Sequence, residues 1–173
     1  MNRSGKYILL VITIIIIVII IIVLSHRNED KNVTETKQQT QQEIIPCDAS
    51  LWQHVYHSYR LEVKEECKVV TGTIELLRKE ADGDYHILLK LDTGQNNLLN
   101  EKNYEEQKGC LVLEPVCVNK VTQKDAIKSC EDFVNKVYIP HAGEHVKVTG
   151  SYVLDKEHGW MEIHPVTKIE TVN

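Results

Sequence analysis

The stretch HGWMEIHPV, residues 158–166, carries Trp160, Glu162 and His164 at alternate positions, with His158 just ahead of them. In a strand, alternate side chains share a face, so these three point one way and Met161 and Ile163 the other. A face of indole, carboxylate and imidazole suits two kinds of chemistry. Imidazoles and carboxylates together hold zinc or another divalent transition ion. A tryptophan on such a face stacks a sugar or a base. The same face also suits purely structural work, with each histidine hydrogen-bonded to a carboxylate and the indole N–H satisfied.

A second group lies upstream, in Asp82-Gly83-Asp84 and the nearby His86. Asp-Gly between two apolar runs is a hairpin signal, and the aspartates stabilise such a turn through bonds to their own backbone. If this turn and the one at 155–159 sit at the same end of a sheet, Asp84, His86, His158, Trp160, Glu162 and His164 converge as a ligand-binding set. His86, Glu162 and His164 are then the metal-ligating subset, and Asp84 joins them in a metal-dependent hydrolase. No H-x-H or H-E-x-x-H spacing accompanies the set. The pairs His54/His57 and His141/His145 read as scattered histidines, and no serine or cysteine has a recognisable catalytic setting.

The elements that must position these residues follow from pattern. Strands are expected over 67–80, 85–92, 110–118, 144–155 and 160–172, from their β-branched content and alternation. Residues 93–109 read as a polar loop. A helix is expected over 122–138, with Thr122 and Asp125 near a capping box and an apolar stripe of Ile127, Cys130, Val134 and Val137. A short helix over 50–59 should pack on the sheet through Leu51, Trp52 and Val55. The domain is thus all-β with one helix, in the order β-β-β-α-β-β of the five-stranded OB barrel. The 1–2 and 4–5 loops of that fold frame its ligand face. Gly72 and Gly150 fall inside strands, where barrels bend. A plain antiparallel sheet with one packed helix fits the same order.

The segments VTGTIELLRKEADGDYHILLKLD, LLNEKN, GCLVLEPVC and HVKVTGSYVLDKEHGWMEIHPV resemble a group of uncharacterised OB-fold-like domains in secreted or membrane-anchored bacterial and archaeal proteins. The resemblance runs over about residues 59–169 and implies a fold and a location but no activity. Asp82-Gly83-Asp84 is also similar to a segment of the thermonuclease family, in which an aspartate here helps hold calcium. The Arg and Asp-Thr-Pro-Glu segments that follow in that family are missing.

The N-terminal part speaks to location. Residues 7–24 have no charge, and their hydroxyls are those of Tyr7 and Thr13 alone. At about 1.5 Å per residue, a helix of that length crosses the hydrocarbon layer. The run is longer than a signal-peptide core and lacks an A-x-A site. An uncleaved, single-pass signal-anchor is therefore expected, with the tail 1–6 in the cytoplasm. A polar linker over 25–45 follows, then an extracytoplasmic domain over 46–173. The Lys and Arg count on the two sides is nearly balanced, so the short N-terminal tail and the cysteine-bearing domain set this orientation. The domain has 15 Lys and Arg against 21 Asp and Glu, which argues against a nucleic-acid backbone as partner.

All five cysteines fall in this domain, and outside the membrane disulfides are the default. Cys47 with Cys67, and Cys117 with Cys130, are the expected bridges, leaving Cys110 buried on the third strand. Two functional classes follow. One is a membrane-anchored binding or interaction module of OB type with an unknown ligand. The other is a metal-dependent hydrolase, with zinc as the possible cofactor.

Overall fold

The structure, a computed structural model, describes residues 47–172 together with residues 16 and 19–21. The expected membrane span, 7–24, and linker, 25–45, lie outside the described residues except at those four positions. Among the described residues, no helix is long and apolar enough to cross a membrane. The fold described below belongs to the compact unit Pro46–Asn173.

The unit is mostly β. Its strands are β1 (Leu61–Lys79), β2 (Tyr85–Leu91), β3 (Leu111–Leu113), β4 (His145–Asp155) and β5 (Met161–Thr171). They close into a ring in the order β1-β2-β3-β5-β4, with β4 returning to β1. All pairings are antiparallel except that of β3 with β5. The long β1 pairs with β2 through its second half and with β4 along most of its length. Register shifts at Ile74/Leu76, Val63/Glu65 and Glu65/Lys68 bend it between those two neighbours, as bulges do. Glycine is required where backbones approach most closely. A Cβ on Gly72 would lie 2.2 Å from the Lys90 carbonyl oxygen, and one on Gly150 would lie 2.4 Å from Ile163 Cγ2. The ring interior is filled by Val70, Ile74, Ile87, Leu89, Leu113, Val148 and Ile163, all nearly inaccessible. Burial of such side chains is worth about 1.5–3 kcal/mol each.

Two expectations are corrected. The helix expected over 122–138 is absent; only a 3₁₀ turn, Ile127–Cys130, forms there. Its backbone groups are engaged elsewhere. The Thr122 and Gln123 N–H groups donate to the Ala81 carbonyl, the Asn135 N–H donates to the Cys117 carbonyl, and Asp132 takes a left-handed backbone that a helix cannot continue through. The supposed apolar stripe faces solvent at Ile127 and Val134. A helix, α1 (Glu101–Glu106), forms instead in the stretch expected to be loop. Its signal was Asn100 and Asn103, which build a reciprocal capping box, each side chain accepting from the other's backbone N–H. The single helix therefore lies between β2 and β3, so the order is β-β-α-β-β-β. The segment expected as a short helix over 50–59 is a 3₁₀ turn, Ala49–His54, with Leu51 and Val55 packed on Val116 and Val153.

Cys47 is bonded to Cys67 and Cys117 to Cys130, while Cys110 is free and buried among the described residues. The second bridge pins the 115–130 loop across the end of the ring. Opening it with the double substitution Cys117→Ala, Cys130→Ala should lower stability by about 3 kcal/mol, the loop-entropy value for a closure of this length. Urea unfolding followed by circular dichroism would measure this, and an unchanged midpoint would show that the bridge does not constrain the domain.

Candidate functional site

The β1–β2 turn is closed by the Glu80 N–H donating to the Asp84 carbonyl at 2.9 Å. The 115–130 loop docks on it. The Asn119 N–H donates to the Gly83 carbonyl at 2.8 Å, and the Cys117 N–H donates to Asp84 Oδ1 at 2.7 Å. Asp84 is almost wholly buried by this docking. Burial, with the Asp82 charge adding to it, pushes its carboxyl up to about 7. The turn aspartate is thus a structural acceptor holding two loops together.

At the β4–β5 turn, Asp155 does similar work. Its Oδ1 accepts the N–H groups of Glu157 at 2.8 Å and His158 at 3.2 Å. Its Oδ2 accepts from Arg60 and, at 2.7 Å, from His158 Nδ1. Burial would raise Asp155, but the His158 hydrogen bond and the Arg60 charge outweigh it and hold the carboxyl below the usual range. With Nδ1 engaged by Asp155, Nε2 is the His158 ring nitrogen left for a ligand. The ring lies flat on Trp160, with centroids 4.4 Å apart and planes 4° apart.

Between the turns lies a floor of two hydrogen-bonded sets. In the first, His86 Nδ1 meets Glu114 Oε1 at 2.8 Å and His86 Nε2 meets Gln107 Oε1 at 3.0 Å. Burial, with the Glu162 charge adding to it, pushes Glu114 well above the carboxylate range. Burial also lowers His86, against the Gln107 bond. Both shifts favour neutral forms, so the contact is a neutral hydrogen bond and not an ion pair. Gln107 Oε1 can only accept, so Nε2 carries the proton and Glu114 donates its O–H to Nδ1. In the second set, Glu162 accepts from Trp160 Nε1 at 2.9 Å and from His164 Nδ1 at 3.0 Å. Burial by itself would lower His164. The hydrogen bond to Glu162 and the charge of Glu162 outweigh it and raise His164. Its Nε2 is buried without a hydrogen-bond partner among the described residues.

These groups surround a cleft of about 370 Å³. Of the residues singled out in the sequence, His86, His158, Trp160 and Glu162 line it, together with Asp82. Asp84 and His164 lie buried outside its lining. Trp160, Glu162 and His164 are 8%, 1% and 1% exposed, so their shared face is covered within the fold. The Trp160 ring is occupied by His158 and by the apolar cluster of Leu88, Cys110 and Val112, so its faces are already taken. Nor are His86, Glu162 and His164 drawn into a ligand set. Among the described residues, the group of three donors lying within 4.8 Å of one another is Asp84, Cys117 and Cys130. The sulfurs of that group are joined in a disulfide and cannot act as thiolate ligands.

Sequence reasoning did not single out Glu114, Gln107, Arg60 or Asp155. Glu114 had a readable signal: an acid inside the apolar run LVLEPV is costly to bury unless it is partnered. Arg60 and Gln107 have no local pattern, since both act only through residues distant in sequence.

No protein-family model matches the chain, and no curated protein matches it.

Proposed function

We propose that the chain is a membrane-anchored, extracytoplasmic binding module of OB type, and that its ligand face is the cleft between the β1–β2 and β4–β5 turns. The observation that carries this reading is that one cleft is lined from both turns, by Glu80, Ala81 and Asp82 on one side and by Asp155, Glu157 and His158 on the other. The strand order, with β3 and β5 as the parallel pair, supports the OB assignment. In that fold the same two loops frame the ligand. The helix position departs from the pattern. The uncharged run over 7–24 supports the anchor, and the two disulfides of the domain after it support an extracytoplasmic placement of that domain.

The module has no chemistry of its own in this reading. A metal-dependent hydrolase on Asp84, His86, Glu162 and His164 would compete with the hydrogen bonds these side chains already make to Cys117, Gln107, Trp160 and one another, although His164 Nε2 makes none among the described residues. The test is a thermal-shift screen of the full chain in detergent, with sugars, amines, nucleotides, peptides and divalent ions. A ligand at a hundred times its Kd stabilises the folded state by about 2.7 kcal/mol. A stabilising organic ligand whose effect His158→Ala removes is the expected result. Stabilisation by zinc or manganese that His164→Ala removes would favour the hydrolase instead.

A further inference from the structure

We infer that the cleft takes a neutral, polyhydroxylated ligand, a saccharide, in preference to an amine or an anion. The inference rests on the reading of this cleft as the binding face. Its first support is the donor and acceptor inventory of the lining. The lining carries six carboxyl groups, Glu80, Asp82, Glu114, Asp155, Glu157 and Glu162, whose ionised forms only accept; the two guanidiniums, Arg60 and Arg78, only donate. A cationic ligand satisfies the first kind and meets the second as like charge. An anion does the reverse. A hydroxyl group donates and accepts, so it answers both within one cleft.

The second support is that, Asp82 and Glu157 at the rim apart, the charged groups there are already partnered inside the protein. Arg60 is held by Asp155 and Arg78 by Glu80. Glu162 has a donor on each oxygen, and Glu114 shares a neutral hydrogen bond with His86. An anionic ligand would have to break these pairs to find a counter-charge, and a cationic one would find only Asp82 and Glu157, at the rim. A neutral one need only add hydrogen bonds, for example to His158 Nε2.

The third support is flat ring surface at the mouth. His57 lines the cleft, is exposed, and stacks on Tyr56 with centroids 3.8 Å apart. It is held with φ 54°, a left-handed conformation that a non-glycine residue adopts at a cost. The His158 ring, backed by Trp160, is a second flat surface. Such faces receive the C–H face of a pyranose ring, while the polar floor takes its hydroxyls.

The test is calorimetric titration of the full chain, in a detergent without a sugar headgroup. Chitotriose, maltotriose, cellotriose and xylotriose would be compared with spermidine and inorganic phosphate. At least one trisaccharide should bind, and tenfold or more tightly than spermidine or phosphate. His158→Ala should weaken it tenfold or more. So should His57→Gly, which suits the left-handed backbone and so removes the ring without threatening the fold. Binding of spermidine or phosphate alone, still weakened by His158→Ala, would overturn the saccharide class and leave the cleft as the binding face. Saccharide binding indifferent to both His158→Ala and His57→Gly, or no binding by any probe, would overturn the inference.

Discussion

Replacing Glu162 with alanine is expected to lower the stability of the domain by about 3–5 kcal/mol, the usual cost of leaving one member of a buried charged pair without its partner. Both Glu162 oxygens are in use, one on Trp160 Nε1 and one on His164 Nδ1. His164 is raised toward its charged form by Glu162 and its neighbours, and the ring is 1% exposed. Without Glu162, an imidazole and an indole N–H are buried with nothing to receive them. Glu162→Gln keeps the shape and one acceptor, and should cost about 1–3 kcal/mol. Denaturant midpoints of the two variants at pH 6 check this ordering. An alanine variant within 1 kcal/mol of the parent would mean that this face does not hold the ring together.

The second large effect is one of pH. Asp84 is raised in the folded state from an ordinary 3.8 to about 7, so between those values the folded protein binds more protons than the unfolded chain. Stability contributed by this group is full below pH 3.8, falls as pH rises through the interval, and levels off above about pH 7. The interval corresponds to roughly 4 kcal/mol. The raised His164 acts in the same direction, its contribution being present below pH 6.5 and lost as pH rises through its folded value. His86, lowered in the fold, opposes them, its contribution being present above pH 6.5 and lost as pH falls below that. Asp84→Asn keeps an acceptor for the Cys117 N–H and removes the titration. The variant should match the parent at pH 4 and exceed it at pH 8. Equal stability at both pH values would contradict the buried, raised carboxyl.

What was legible in the sequence was the part governed by local pattern. Alternation and the Asp-Gly turn located β1 to β5, although β1 begins six residues earlier and β3 ends five residues earlier than expected, and the expected pairs Cys47 with Cys67 and Cys117 with Cys130 are the bridges found. What was not legible was set by partners far away in sequence. The apolar stripe at 122–138 has helical periodicity, but its N–H groups find the Ala81 and Cys117 carbonyls instead of one another. Alternation in HGWMEIHPV correctly separated Met161 and Ile163 from Trp160, Glu162 and His164. It could not show that the second face is covered as well, because that depends on contacts from the β4–β5 turn and from Leu88, Cys110 and Val112. Arg60 and Glu114 complete the site from positions with no periodic signal.

The central claim is that the cleft between the two turns is where the ligand sits. Hydrogen–deuterium exchange of the full chain, with and without the best stabilising compound from the thermal-shift screen, tests it most directly. The account predicts slowed exchange confined to residues 80–86 and 155–162 and to the 56–60 segment at the cleft mouth. Slowed exchange elsewhere, for example over 134–142, with those three segments unchanged, would contradict it.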